Sequence, residues 1–360
     1  MFLSQSLFSP ITLRSLSVPD RLWVSPMCQY SAVDGVVNQW HHVHLGAFAT
    51  GGASLLIAEA SAVCPEGRIT PGDAGIWNDQ QRDAWSEVLD FLHAQGARVA
   101  LQIAHAGRKA SARIPWHEGP TSLADTEGGW QTMAPSAQAF GNMAVPAEMT
   151  RSDLEQLVLD FAAATNRAVQ AGFDAIELHA AHGYLLHEFL SPISNTRTDA
   201  YGGDLAGRAK ILLQVTDAVR SAMPESMPLL VRISATDWIE GGWDIDESIE
   251  LSRMLKELGV DMMDVSSGGV DPRQKILLGP SYQVPFATRI RNEAGIPVAA
   301  VGLITESAQA EAIVRDGLAD VVLAGRAFLR EPTFARRMAV ELGVEARWPP
   351  QYLRARNDGH

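Results

Sequence analysis

Eight short apolar runs, each followed by a stretch with helical spacing, constrain this chain more than any other feature. The runs are 22–26, 54–60, 98–104, 174–179, 228–234, 262–267, 297–302 and 320–325. Between them lie segments of 3.6-residue periodicity, such as 150–171, 207–223, 246–258 and 305–316. Thr150 and Asp153 have the spacing of an N-terminal capping pair. Strands that alternate with helices pair in parallel, and eight such units close into a (β/α)8 TIM barrel rather than an open sheet. The chain of 360 residues is then a single barrel domain with three additions. Residues 1–19 form an N-terminal cap. Residues 107–148, rich in Gly and Pro and carrying Trp116 and Trp130, form a long loop after strand three. A connection of that length inside a barrel serves as a lid or wall over a site. Residues 343–360 form a C-terminal tail rich in Arg and Pro.

The period of two along each strand divides the side chains between the helical sleeve and the barrel interior. In Val99–Ala104, Leu101 and Ile103 face the helices and Gln102 points inward. In Leu229–Ser234, Val231 and Ile233 face out and Arg232 points in. In Asp174–His179, Ile176 and Leu178 face out while Glu177 and His179 point in. Polar groups near the C-terminal ends of several strands are where barrel enzymes build their active sites.

The formal net charge of −13 argues against a nucleic-acid partner, which needs a basic face. A few placed arginines still suffice for one small anion. Two cysteines are no disulfide framework, so a reduced, cytoplasmic setting is expected. The first basic residue is Arg14, which does not read as a signal peptide, and no apolar run is long enough to cross a membrane.

The most informative motif is His179-Ala-Ala-His182-Gly183-Tyr184, at the end of strand four. Neutral imidazoles each offer one N–H, so the two histidines can clamp one carbonyl oxygen. Tyr184 is protonated at neutral pH and can act as a proton donor. A metal site is disfavoured: His41, His42 and His44 have no Cys or carboxylate nearby in sequence and no common zinc spacing. A Schiff-base aldolase needs a lysine at a strand end, and none of the four lysines ends a strand; Lys109, in the loop after strand three, comes nearest. Gly302 and Gly325-Arg326 stand at the ends of strands seven and eight, where barrels bind phosphate. Cys28, at the mouth of strand one, has no His or Asp beside it, so a non-covalent role next to a cofactor is expected.

Taken together, the stretches Ser25-Pro26-Met27-Cys28-Gln29-Tyr30, Glu59-Ala60, Gln102 to Lys109, His179 to Leu185, Ser194 to Gly203, Arg232 and Ala324-Gly325-Arg326 resemble the Old Yellow Enzyme family. They are similar to its thermophilic-like branch of FMN-dependent ene-reductases, the xenobiotic reductase-like members in which Cys stands where others carry Thr. The resemblance implies bound FMN, NADPH or NADH as hydride donor, and α,β-unsaturated carbonyl substrates. It implies that Ser25, Pro26, Met27, Cys28, Ala60, Gln102 and Arg232 surround the isoalloxazine and ribityl, and that Gly302, Gly325 and Arg326 hold the phosphate. His179 and His182 would bind the substrate oxygen, Tyr184 would protonate the α-carbon, Cys28 would tune the flavin and Tyr30 would wall the pocket. The tail Pro350-Gln351-Tyr352-Leu353-Arg354 resembles a segment that sends an arginine into a neighbouring subunit, which implies a homodimer or homotetramer. The match departs after Arg354, where Arg356 and Asn357 replace an aromatic residue. Two alternatives are another flavin barrel, such as a dienoyl-thioester reductase, and a non-catalytic ligand-binding barrel. The former carries a cysteine-held iron–sulfur module that two cysteines cannot supply.

Overall fold

The strands occur where the apolar runs place them: β1 (Leu22–Val24), β2 (Leu55–Ala62), β3 (Arg98–Ala104), β4 (Ala175–Ala180), β5 (Leu229–Ser234), β6 (Met262–Ser266), β7 (Val298–Ala300) and β8 (Val321–Ala324). In this computed structural model, which describes residues 6–356, they close into one barrel. Every neighbouring pair is parallel, including β8 with β1. The sleeve consists of α1 (Gln39–Thr50), α2 (Asp79–Ala94), α3 (Arg151–Ala171), α4 (Leu205–Ala222), α5 (Ile245–Glu257), α6 (Val284–Ala294), α7 (Ser307–Arg315) and α8 (Phe334–Glu341). Short extra helices follow β4 (Leu185–Leu190) and β8 (Arg326–Arg330). The helix starts are written locally. Thr150 and Asp153 cap α3 reciprocally, and Asn78 with Gln81 does the same for α2.

Apolar burial splits into two clusters, as the period of two requires. Leu101, Ile103, Ile176, Leu178, Val231 and Ile233 pack outward against helix residues such as Trp85 and Phe161. Trp23, Leu55, Ile57, Leu230, Met262 and Leu323 fill the barrel interior. Leu13 and Val18 join that inner cluster from the hairpin Ile11–Leu13/Leu16–Val18, which plugs the N-terminal mouth of the barrel. Above the apolar plug the interior turns polar, with Gln102, Glu177, Arg232 and Asp264 on four consecutive strands.

The loop 107–148 is held down by aromatic and polar contacts. The Trp130 indole donates to Glu66 O at 3.0 Å, and the Arg68 guanidinium lies 4.8 Å from the Trp130 ring and 5.5 Å from that of Trp77. Within this loop Met133–Ala134 pairs with Ala147–Glu148. The tail is anchored by Arg336, which donates to Arg347 O, and by Arg347, which reaches Gly96 O. Beyond it, Pro350–Ala355 forms an exposed turn. Residues 1–5 of the expected cap and 357–360 of the tail lie outside the described residues.

Candidate active site

The loop after β4 owes its shape to two consecutive left-handed residues, His182 (φ 60°) and Gly183 (φ 70°). Gly183 is required there: a Cβ would lie 2.2 Å from Gly269 O, in the loop after β6. The two loops interlock, and Lys109 ties them together by donating to His182 O (2.8 Å) and Gly269 O (3.1 Å). The His182 amide donates to Ser234 Oγ at 2.9 Å, and the Gly183 amide to His187 Nδ1 at 2.8 Å. His187 in turn presents Nε2 to Asp237 Oδ1 at 3.0 Å, with both side chains fully buried. This network presents His179, His182 and Tyr184 as one unit. The two imidazole centroids are 5.2 Å apart, and the Tyr184 ring is 5.0 Å from that of His179.

Electrostatics sets the protonation states. Burial, reinforced by the Arg232 guanidinium, holds both His179 and His182 well below the usual imidazole range, so both are neutral at physiological pH. His179 Nδ1 accepts from the Ala181 amide at 3.3 Å, which leaves its proton on Nε2. His182 Nε2 sits 2.7 Å from Ser266 Oγ. Burial, with Cys28 and Tyr30 close by, pushes the Tyr184 hydroxyl well above its ordinary value, so it is protonated. The Cys28 thiol is also pushed up, by burial and by the Asp73 and Glu59 carboxylates, and is hydrogen-bonded to Tyr30. A thiol so disfavoured as thiolate is no nucleophile.

A cavity of about 330 Å³ opens between the ends of β7, β8 and β1. Ser25, Met27, Arg232, Gly302, Gly325 and Arg326 all line it. Its lining includes a further arginine, Arg330, and no acidic residue, although the chain as a whole is acidic. Gly302 (φ 124°) brings backbone to the wall where a Cβ would lie 2.8 Å from Gln283 Nε2. Arg232 is 7% exposed, and its Nε lies 3.1 Å from Asp264 Oδ2, an ion pair without hydrogen-bond alignment. A cavity of this donor set, with three arginines in its lining and backbone at close approach, fits a phosphorylated cofactor.

The remaining predicted residues divide. Ala60, His179 and Tyr184 line a second, smaller pocket, together with Ile69 and Asp73. Gln102 lies deeper and donates to Glu177 Oε1 at 2.8 Å. Pro26 and Cys28 follow β1 in the same connection, and Tyr30 meets Trp116 edge-on at 6.0 Å. Arg354 is exposed on the tail and lines neither pocket of its own chain. The histidine run after β1 does acquire a carboxylate, contrary to its sequence neighbourhood: His41 Nε2 is 3.2 Å from Glu59 Oε1. That pair is an internal bridge, because His41 Nδ1 accepts from the Asn38 amide and Glu59 Oε2 from that of Gln29.

Sequence reasoning missed Ser266, Tyr282 and Gln283, which line the large cavity, and Asp73, whose carboxylate accepts from Thr70 and the Ile69 amide. Ser266 carried a usable signal as a polar residue at the end of β6. Gln283 opens α6 and carried none.

Comparison with known proteins agrees with this geometry. Residues 6–345 match the NADH:flavin oxidoreductase / NADH oxidase family. The chain is 45% identical to an NADPH dehydrogenase of Geobacillus thermodenitrificans, over 97% of this chain and 98% of that protein. It is 42% identical to the NADPH dehydrogenase of Bacillus subtilis, over 98% of this chain and 99% of that protein. Among solved structures, morphinone reductase superposes with a TM-score of 0.80 at 28% identity, covering 97% of this chain and 93% of that one. A second structure of that enzyme, with tetrahydroNAD bound, superposes with a TM-score of 0.79. The barrel, the arginine-lined cavity and these matches lead to one conclusion: the chain belongs to the NADH:flavin oxidoreductase / NADH oxidase family, as an FMN-dependent NADPH dehydrogenase of the Old Yellow Enzyme type.

Proposed function

We propose that the chain is an ene-reductase that saturates the C=C bond of α,β-unsaturated carbonyl compounds at the expense of NADPH or NADH. The observation that carries this reading is the juxtaposition of two neutral imidazoles and a protonated tyrosine beside the arginine-lined cavity. The chemistry that FMN supplies when bound is hydride transfer, from the nicotinamide to the β-carbon of the substrate.

Arg232, Gln102, Ser25, Pro26, Met27, Cys28 and Ala60 would hold the ring and ribityl of the cofactor, and Gly302, Gly325 and Arg326 would hold its phosphate. His179 donates from Nε2 to the substrate oxygen. His182, whose Nε2 lies 2.7 Å from Ser266 Oγ, supplies the second donor from Nδ1 in the tautomer that carries its proton there. The pair draws electron density from the alkene and stabilises the enolate as it forms. Tyr184 then transfers its hydroxyl proton to the α-carbon. Burial keeps that proton in place until the carbanionic carbon is there to take it.

Tyr30, backed by Trp116, walls the substrate side, and the loop 107–148 acts as the lid. The exposed Arg354 reaches the active site of a neighbouring copy in a homodimer or homotetramer. Two free cysteines fit a cytoplasmic protein, and among the described residues no helix is long and apolar enough to cross a membrane.

The test is a half-reaction experiment. NADPH bleaches the holoprotein anaerobically, and 2-cyclohexen-1-one restores the colour. Tyr184→Phe slows that second step about 10²-fold or more while leaving the first intact. An unchanged rate of re-oxidation in Tyr184→Phe removes the proton-donor role.

A further inference from the structure

Four consecutive strands bring Gln102, Glu177, Arg232 and Asp264 together at the centre of the barrel, beneath the arginine-lined cavity. The register sets Gln102 opposite Glu177 and Asp264 opposite Arg232. Glu177 and Asp264 are both 0% exposed. Gln102 Nε2 donates to Glu177 Oε1 at 2.8 Å, and Arg232 Nε lies 3.1 Å from Asp264 Oδ2. Only Glu177 Oε1 thereby receives a hydrogen bond; the Arg232–Asp264 contact is an ion pair without hydrogen-bond alignment. Glu177 Oε2 and both oxygens of Asp264 have no hydrogen-bond donor among the described residues.

Two buried carboxylates in contact cannot both be ionised beside a single cation. Glu177 Oε2 and both Asp264 oxygens are buried without an N–H donor, and one proton carried by one carboxyl and donated to the other relieves both. Asp264 is the one adjoining the guanidinium, so the proton resides on Glu177. Burial and the Asp264 charge raise Glu177 well above the carboxylate range, in agreement with that assignment. The other charged or titratable groups facing this cluster are His179, one pleat above Glu177 on β4, and His182, both neutral, with Lys109 farther out.

We propose that Glu177, as a carboxylic acid, donates its proton to Asp264, and that the Asp264 carboxylate aims and neutralises Arg232, so that the pair sets the charge presented to the cofactor. Glu177 and Asp264 are positioning residues, since they act through Arg232. Their effect falls on the ratio of affinities for reduced and oxidised FMN, because the reduced form carries more negative charge. This part rests on Arg232 lying against the cofactor, as proposed above.

The test compares the holoprotein with Glu177→Gln and with the double variant Glu177→Gln/Asp264→Asn. The glutamine keeps every bond of a protonated Glu177, accepting from Gln102 and donating to Asp264. Infrared difference spectra at pH 8 in H2O and D2O read the protonated carboxyl directly. Its exchange-sensitive C=O band is present in the wild type and lost in Glu177→Gln. That substitution leaves FMN affinity and midpoint potential at wild-type values. The double variant exposes the Arg232 charge and favours the reduced cofactor tenfold or more over the oxidised one, read as a rise in midpoint potential.

The proposal is overturned if Glu177→Gln retains the whole carboxyl band. It is equally overturned if Glu177→Gln alone shifts the affinity ratio tenfold, since Glu177 would then be charged, or if the double variant leaves the potential unchanged. Should the protein take up no FMN, the flavin reading fails, while the infrared comparison still locates the proton.

Discussion

Replacing Gly183 by alanine separates the geometry of the substrate clamp from the binding of the cofactor. Two costs follow from the structure. The residue has φ 70°, a region that costs an L-residue about 1–2 kcal/mol. The new Cβ would also sit 2.2 Å from Gly269 O and 2.7 Å from Gly269 C, backbone atoms that no rotamer change can move. Restoring ordinary contact takes a displacement of roughly 1 Å between the loops after β4 and β6. Those loops carry His182 and Tyr184 and are tied by Lys109, so the displacement falls on the groups that meet the enone. Misplacement by about 1 Å costs on the order of 10²-fold in rate, or about 3 kcal/mol of barrier. The glycines and arginines that line the large cavity at the ends of β7 and β8, Gly302, Gly325, Arg326 and Arg330, belong to neither displaced loop. Rapid mixing of NADPH-reduced protein with 2-cyclohexen-1-one therefore shows re-oxidation slowed about 10²-fold. Fluorescence titration of the apoprotein shows FMN affinity unchanged. Gly172→Ala is the control, because Gly172 (φ 103°) has no atom within 4 Å of its Cβ position and bears strain alone. Enone re-oxidation within about threefold of wild type in Gly183→Ala, or an equal loss in Gly172→Ala, refutes the reasoning.

Three other perturbations address separate parts of the molecule. Arg326→Ala removes a charge-assisted contact worth about 1.5–3 kcal/mol and weakens FMN binding about 10- to 100-fold in apoprotein titrations; an unchanged affinity dismisses Arg326 as a phosphate ligand. His105, 4% exposed, is pushed down to about 4 by burial. Below about pH 6.5 the unfolded chain takes up a proton that the folded chain refuses. This side chain therefore lowers stability as pH falls from 6.5 toward 4, by about 1.4 kcal/mol per pH unit. Urea unfolding at pH 7 and pH 5 shows wild type losing about 2 kcal/mol more than His105→Gln over that interval, and equal losses contradict the buried neutral state. Truncation before Pro350 raises the KM for enone or weakens self-association, and a change in neither disposes of the role given to Arg354.

Much of the barrel was legible because its information is local. The alternation of apolar runs with helical periodicity located all eight strands. The caps at Thr150 and Asp153 depend on residues three apart in the chain. The inward placement of Gln102, Glu177, His179 and Arg232 followed from the pleat alone. The candidate site was legible for the same reason, since most of its residues stand at strand ends or in one six-residue motif. What escaped were pairings between side chains distant in sequence. The pleat turns Glu177 inward, yet nothing local marks Asp264, a carboxylate inside the apolar run 262–267, as its neighbour. His41 has no carboxylate near it in sequence, and barrel closure brings Glu59 to it.

The sequence by itself determined the number and order of the units, the residues that turn inward and the chemistry those residues can offer. Only the tertiary structure decided the protonation states and the contacts that fix them. Gln102 and Glu177 are 75 residues apart and meet only when β3 lies beside β4. The burial that keeps His179 and His182 neutral, Tyr184 protonated and Cys28 a thiol exists only once the whole barrel has closed around them. Hydrophobic patterning acts between neighbours along the chain, whereas desolvation is a property of the assembled interior.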